Sequence, residues 1–197
     1  MYNSIDTYYK VQSHIYDLTR WSFLFGRAKL FNNLPELSEN AVILDLGCGT
    51  GYQTKLLKRK YPTAKIIGLD ASAAMLKKAQ HKIGANVTLL HQHYNAASFK
   101  ENSFDLVVCS YSLTMMGDID MLLQNIHNHL KPKGIFAAVD FDYSRCDWFT
   151  RWMKVNFVEM SGKVFTLIKT QFPKHHTKSY SAFTGLWCYS MCIAVND

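Results

Sequence analysis

Few features of a secreted, membrane-spanning or disordered chain are present in this sequence. No window reaches ~18 consecutive apolar residues, so no spanning helix is expected. The most apolar stretch, residues 183–195, is short and interrupted by Thr184, Gly185 and Ser190. The opening residues, MYNSIDTYYK, lack a charged region followed by an apolar one, so no signal peptide is expected. The five cysteines are odd in number and scattered, with no C-x-x-C pair. That argues against a disulfide framework or a zinc site and for a reducing, cytoplasmic setting. No metal-ligand cluster is visible. Internal repeats, low-complexity tracts and Pro/Gly linkers are missing from the 197 residues, a length that suits one domain. Acidic residues are scarce: 15 Asp and Glu stand against 22 Lys and Arg, a net charge of +7. The excess favours an anionic partner (nucleic acid, acidic lipid or an acidic substrate) without choosing among them.

Apolar residues make up 48% of the chain, enough for a substantial core. Their pattern predicts strands alternating with helices. Residues 42–46 (VILDL) are a short apolar run ended by glycines, which reads as a buried strand. Residues 52–60 are helical by composition, and Pro62 stops them. Residues 66–69 (IIGL) predict a second strand ending at Asp70. Ser72 is placed to cap the next helix, where Ala73, Met75, Leu76 and Ala79 recur at helical spacing. Residues 87–90, 106–109 and 135–139 predict further strands, with a helix over 119–130 and a turn at 131–134. Such alternation implies crossovers and a parallel α/β sheet covered on both faces. After Asp142 the pattern changes. Residues 148–168 read as one long helical region, and residues 180–195 as one or two closing strands broken at Gly185. The single domain 1–197 is thus expected to hold an aromatic segment (1–35), a core (41–142) and a closing segment (143–197).

The most informative segment is Asp45-Leu-Gly-Cys-Gly-Thr-Gly51, between a strand and a helix. Its glycines allow a tight turn and a close approach of backbone to a ligand. Asp70 ends the second strand 19 residues after Gly51. That is where a nucleotide-binding fold sets a carboxylate for ribose hydroxyls. The third glycine comes one position early for the dinucleotide pattern G-x-G-x-x-G. The carboxylate of Asp45 would repel a pyrophosphate and favour a ligand with an ammonium and a sulfonium.

D-x-G-x-G-x-G with a strand-ending Asp resembles the signature of class I S-adenosylmethionine-dependent methyltransferases. The resemblance covers residues 42–139. It implies a doubly wound, mostly parallel, Rossmann-like sheet, S-adenosyl-L-methionine as cofactor and S-adenosyl-L-homocysteine as product. It makes Gly47, Gly49 and Gly51 cofactor-loop residues and Asp70 the ribose-binding acid. Asp45, Cys48, Ala71, Met75, Tyr94 and Ser110 join them as expected cofactor contacts. Tyr16 matches a lid tyrosine of relatives, with simple packing on the sheet as the other reading. The helix start after Gly51 is placed to receive the methionine carboxylate. Relatives commonly carry G-D-A after the third strand, and its Asp meets the adenine amino group. Here the run is Gln92-His93-Tyr94-Asn95, so His93 or Asn95 can serve the adenine edge, as can backbone groups.

Further stretches narrow the resemblance. Ile15-Tyr-Asp-Leu-Thr-Arg-Trp-Ser-Phe-Leu-Phe-Gly-Arg27, Ser110-Tyr-Ser-Leu-Thr-Met-Met116, Asp140-Phe-Asp142 and Gly185-Leu-Trp187 together resemble bacterial lipid headgroup N-methyltransferases. Those enzymes convert diacylglyceryl-homoserine to a betaine lipid, or phosphatidylethanolamine to phosphatidylcholine. The resemblance implies an amine-bearing acceptor on a lipid. In a doubly wound fold the ligand lies beyond the C-terminal strand ends, where Ser110, Tyr111 and Asp140 fall. Methyl transfer draws mainly on positioning and desolvation, and the attacking amine must be neutral. Asp140, Tyr111 or His14 could accept a proton or orient the amine, while Asp140 could equally cap a turn. His175-His176 reads as a solvated loop pair.

Tyr8, Val11, Ile15 and Leu18 share one helical face, followed by Trp21, Phe23, Leu24 and Phe25. Lys10, Arg20, Arg27 and Lys29 lie nearby. This suits an interfacial helix at an anionic inner membrane face, or a lid packed on the cleft. No N-P-P-Y/F motif follows the fourth strand, which disfavours a nucleic-acid substrate. A small-molecule amine methyltransferase and a non-catalytic cofactor-binding regulator stay open as alternatives.

Overall fold

The computed structural model describes residues 24–84 and 87–197. The expectations for Tyr8, Lys10, Val11, His14, Ile15, Tyr16, Leu18, Arg20, Trp21 and Phe23 lie outside the described residues. Helix α1 (Arg27–Asn33) leads into β1 (Val42–Leu46), α2 (Tyr52–Lys60), β2 (Lys65–Asp70), α3 (Ala73–Ile83) and β3 (Thr88–His91). Then come β4 (Phe104–Ser110), α4 (Ile119–His129), β5 (Leu130–Phe141), α5 (Asp147–Val155), α6 (Lys163–Gln171), β6 (Lys174–Ala182) and β7 (Trp187–Val195). Among the described residues, seven strands form one sheet in the order β3-β2-β1-β4-β5-β7-β6. β1 to β5 are parallel, and β7 runs antiparallel to both β5 and β6.

Side-chain alternation along the central strands sets the layers. Ile43, Leu106, Val108, Ala137 and Val139 pack with Leu30 of α1, Leu57 of α2 and Phe149 and Met153 of α5. Leu44, Leu46, Val107, Cys109, Phe136 and Ala138 pack on the opposite face with Leu122, Leu123 and Ile126 of α4 and Phe165 and Ile168 of α6. Both faces are covered, so these strands have no polar side and read as continuous apolar runs. The chain winds outward from β1 through β2 to β3, then returns to place β4 on the other side of β1. Such a reversal leaves a crevice beyond the C-terminal ends of β1 and β4. Ser72 caps α3 as its position predicts, accepting the Met75 amide at 3.4 Å.

Three expectations are corrected. Residues 148–168 are not one helix: α5 stops at Val155 and α6 starts at Lys163. The chain turns at Phe157 (φ +61) and Gly162 (φ +73). Val158 and Met160 kept the apolar pattern going because they are buried in the connection itself. Residues 131–134 do not close a free turn. They belong to β5, whose register jumps between Phe104 and Leu106 of β4. Lys133 and Gly134 pair with Asn196 at the far end of the chain (2.7 and 2.8 Å). His175 and His176 lie on β6 rather than in a loop. β6 is the sheet edge, and its exposed Lys and His side chains guard that edge against further pairing. Among the described residues no helix is long and apolar enough to cross a membrane.

Candidate active-site cleft

The glycine loop doubles back over β2. The amides of Gly47 and Cys48 both donate to the Leu69 carbonyl, at 2.8 and 3.1 Å. Asp70 holds the loop from the other side: one carboxylate oxygen accepts the Gly49 amide and the other the Ser72 amide, each at 2.8 Å. Asp45 points back from β1 and accepts the Thr54 hydroxyl of α2 at 2.5 Å. Gly51 serves a different purpose. A Cβ there would stand 2.4 Å from Ile83 Cδ1, so the third glycine lets α2 and α3 pack closely.

A cleft of about 920 Å³ opens at this point. Of the residues singled out from sequence, Asp45, Gly47, Cys48, Gly49, Asp70, Ala71, Met75, His93, Tyr94, Ser110 and Tyr111 line it. Gly51, Asn95 and Asp140 do not. Asn95 spends its side-chain oxygen on the Ala97 amide at 2.9 Å, an Asx turn, and Gln92 takes a place in the wall. Asp140 is fully buried and turned inward. Its carboxylate accepts Thr114 Oγ1 and the Phe141 amide, each at 2.8 Å. Thr114 lines the cleft, so Asp140 meets the cleft only through the Thr114 side chain. Tyr111 forms the wall at the end of β4 with φ +58, a strained backbone for a bulky residue. Its hydroxyl donates to the Phe25 carbonyl. Tyr94 is held by His129. The His129 Nε2 contact with the Ala96 carbonyl (3.1 Å) requires the proton on Nε2, so Nδ1 accepts the Tyr94 hydroxyl at 2.6 Å.

The electrostatics are those of a site built for positive charge. Burial pushes the Asp45 carboxyl up from 3.8 to about 6, against the Thr54 hydrogen bond and the nearby Arg27 charge. Burial also raises Asp70, opposed by its two backbone amides. Two ionised carboxylates at one loop repel each other and gain from a cation between them. Cys48 lies beside them; burial and both carboxylates push its thiol well up, so it packs rather than reacts. Asp140 is raised to about 6 by burial as well. Between about 3.8 and about 6 the folded chain keeps protons on Asp45 and Asp140 that the unfolded chain has lost. Stability from these two groups therefore falls as pH rises through that window and is level above it.

Sequence reasoning missed several residues of the cleft. Arg27 was read only as part of a motif and a basic patch. Its Nε donates to Ser110 Oγ at 3.1 Å, and its guanidinium lies 5.6 Å from the Tyr52 ring centre and 5.8 Å from that of Tyr111. Gln53 lines the cleft at 3% exposure, and neither end of its amide has a hydrogen-bond partner among the described residues. A buried orphan amide beside the glycine loop fits a ligand with polar atoms at that place. Its signal was available: it stands in the first turn of the helix that the loop opens. Lys154 at the end of α5, Lys163 at the start of α6 and Glu159 in the connection between them reach the cleft, from a stretch that sequence reasoning had as one helix. The open space at Gly49, the two carboxylates, the guanidinium and the orphan amide together fit a zwitterionic, cationic nucleoside ligand.

Comparison with known proteins agrees with this geometry. Residues 43–134 match the family model described as a methyltransferase domain. The chain is 30% identical over 173 residues to the demethylmenaquinone methyltransferase of Lactococcus lactis, covering 84% of this chain and 68% of that one. It is 40% identical over 100 residues to trans-aconitate 2-methyltransferase of Deinococcus radiodurans, covering 50% and 37%. Across that relative and two other curated ones the chain spans 34–58% of their length. Among solved structures, phosphoethanolamine N-methyltransferase 2 of Haemonchus contortus, in complex with phosphomonomethylethanolamine and S-adenosylhomocysteine, superposes with a TM-score of 0.73. It shares 16% identity, with 86% of this chain and 52% of that one covered. The fold, the loop and these relatives lead to one conclusion: the chain belongs to the class I S-adenosylmethionine-dependent methyltransferases.

Proposed function

We propose that this chain methylates the amine of an acceptor that also carries an anionic group, and that the acceptor is a membrane-lipid headgroup. The observation that carries the reading is the make-up of the outer cleft. Lys154 and Lys163 share it with Met115, Val158 and Leu167. Cations suit a phosphate or carboxylate, and the apolar neighbours suit the carbon skeleton attached to it. The volume of about 920 Å³ lies at the top of the ~300–1,000 Å³ range of small-molecule sites, room for cofactor and acceptor together. The strings at 15–27 and 110–116 support the lipid class. The Haemonchus contortus neighbour, crystallised with an amine phosphate, supports the acceptor chemistry on this fold.

When bound, S-adenosylmethionine supplies an electrophilic methyl group that passes to a neutral amine. The chain's own part is to hold, orient and desolvate. Asp70 takes the ribose hydroxyls, and Asp45 faces the ammonium. Arg27 and the start of α2 receive the carboxylate, and Gln53 adds a donor and an acceptor. His93 and Tyr94 border the adenine end. Tyr111 and Thr114 wall the acceptor, with Asp140 behind Thr114. The amine's proton is assigned to Glu159, whose backbone is tied to Thr114 (amide to carbonyl, 3.2 Å) and which lines the cleft, as Asp120 also does.

The test is transfer of labelled methyl from S-adenosylmethionine into lipid extract presented as anionic vesicles, followed by identification of the labelled lipid. Label in an amine headgroup is the expected result. Intact cofactor binding with label only on small soluble amines would move the chain to the small-molecule reading. A second expectation concerns protons. Asp45, raised to about 6, is near half-protonated at pH 6, and a bound cation draws it to the ionised form. Cofactor binding at pH 6 should release up to about half a proton, and affinity should rise from pH 5 to pH 7. Calorimetry in two buffers of different ionisation heat measures this. Flat affinity with no proton release would place the ammonium elsewhere.

A further inference from the structure

We propose that α5 and the loop before β7 form a docking face for anionic bilayers. The proposal deepens the lipid-acceptor reading and rests on it for its purpose, yet a separate part of the surface carries it. Helix α5 is apolar on two sides. Phe149 and Met153 point inward at 2% and 4% exposure. Trp148, Trp152 and Val155, at helical spacing on the outside, are 64%, 48% and 76% exposed. Phe183, at 53%, stands opposite them. Between these groups lies an apolar slot of about 290 Å³, walled by Trp148, Trp152, Phe183 and Leu186 with Phe149 and Trp187 at its base. An outward cluster of two indoles and a phenyl ring is unusual on a water-facing helix.

Charge identifies the occupant. Arg145, Arg151 and Lys154 are exposed on and beside α5, against Asp147 as its one acid. At the other end the ring packing runs from the exposed Phe183 and Phe25 (5.6 Å between ring centres) over the buried Tyr189 to the half-buried Tyr180. There Lys29 sits 4.1 Å over the Tyr180 ring, with Lys178 at 5.7 Å. Cations therefore border the aromatic face at both ends. Tryptophan and tyrosine favour the headgroup level of a bilayer, and flanking Lys and Arg reach anionic lipids. Protein interfaces are also rich in Trp, Tyr and Arg, so dependence on anionic lipid is the property that separates a bilayer from a protein partner in the test below. Lys154 belongs to both this face and the cleft, so a docked α5 brings the cleft mouth to headgroup level.

The experiment uses the full chain with S-adenosylhomocysteine and vesicles of phosphatidylcholine, alone or mixed with phosphatidylglycerol. Sedimentation and tryptophan emission report binding. Binding is expected only with phosphatidylglycerol present, with a blue shift of emission and a loss as salt is raised. The double variant Trp148→Ser/Trp152→Ser should bind about tenfold or more weakly, and Arg151→Glu severalfold. S-adenosylhomocysteine affinity should stay unchanged in both, which shows that they fold. Wild-type affinity in the double variant would overturn the proposal, as would indifference to phosphatidylglycerol. So would a solution dimer that the double variant breaks, since a second copy then covers this face. The methyl-label assay decides the acceptor separately: docking without lipid labelling leaves this face standing and removes the lipid acceptor.

Discussion

Alanine at Gly47 is expected to abolish cofactor binding and to cost the fold about 2–5 kcal/mol. Two penalties combine. Gly47 has φ +74, a left-handed conformation that costs an L-residue about 1–2 kcal/mol. Its Cβ would also stand 2.4 Å from Ser112 Cβ and 2.8 Å from Ser112 Oγ, overpacking worth about 1–3 kcal/mol. Ser112 cannot easily yield, because it is buried and its hydroxyl donates to the Leu46 carbonyl at 2.8 Å. Gly49 supplies the control. It also has a positive φ, +55, but nothing lies within 4 Å of a Cβ there. Gly49→Ala should therefore lose only the backbone part of the stability while its methyl group intrudes on the cleft. Denaturation midpoints and calorimetric affinities of the two variants separate these effects. Equal stability losses would mean that Ser112 does not confine the loop.

Asp70→Ala should weaken S-adenosylmethionine binding by about 3 kcal/mol, roughly a hundredfold. The carboxylate has two duties. It is expected to accept the ribose hydroxyls, and hydrogen bonds to a charged group are worth about 1.5–3 kcal/mol each. It also ties down the Gly49 and Ser72 amides, so its loss slackens the loop that approaches the ligand. Asp70→Asn keeps an acceptor for one of these duties and should lose less. An unchanged calorimetric affinity in Asp70→Ala would overturn the placement of the ribose. A loss of stability without a loss of affinity would leave Asp70 only its structural role.

The readable part of the site is the part that is local. Asp45, the glycines and Asp70 sit on or between two adjacent strands, and their spacing already implies that they converge. The structure brings Asp45, Gly47, Gly49 and Asp70 to one cleft, with Asp70 holding the Gly49 and Ser72 amides at 2.8 Å, and leaves Gly51 behind it. Asp140 was equally visible as a strand end, but its direction was not. β5 pairs with β7 so that Asp140 lies opposite Ser190, and Thr114 closes over its carboxylate. Arg27 meets Ser110 across 83 positions of chain, a contact that no local pattern encodes. The connection from Asn156 to Gly162 was hidden because burial, not helical periodicity, made Val158 and Met160 apolar.

The alternating parallel sheet, the loop with its two acids and hence the family were legible in the residues alone. These follow from hydrophobic period and short-range spacing, which act between neighbours along the chain. Which distant groups face the cleft followed from packing across the chain: Arg27, Lys154, Glu159 and Lys163 enter it, while Asp140 and Asn95 turn away. The same packing decided that Trp148 and Trp152 stand outside while Phe149 fills the core. The reason is physical. One-residue shifts on a strand or helix exchange buried and exposed faces, and which face is buried depends on partners distant in the chain.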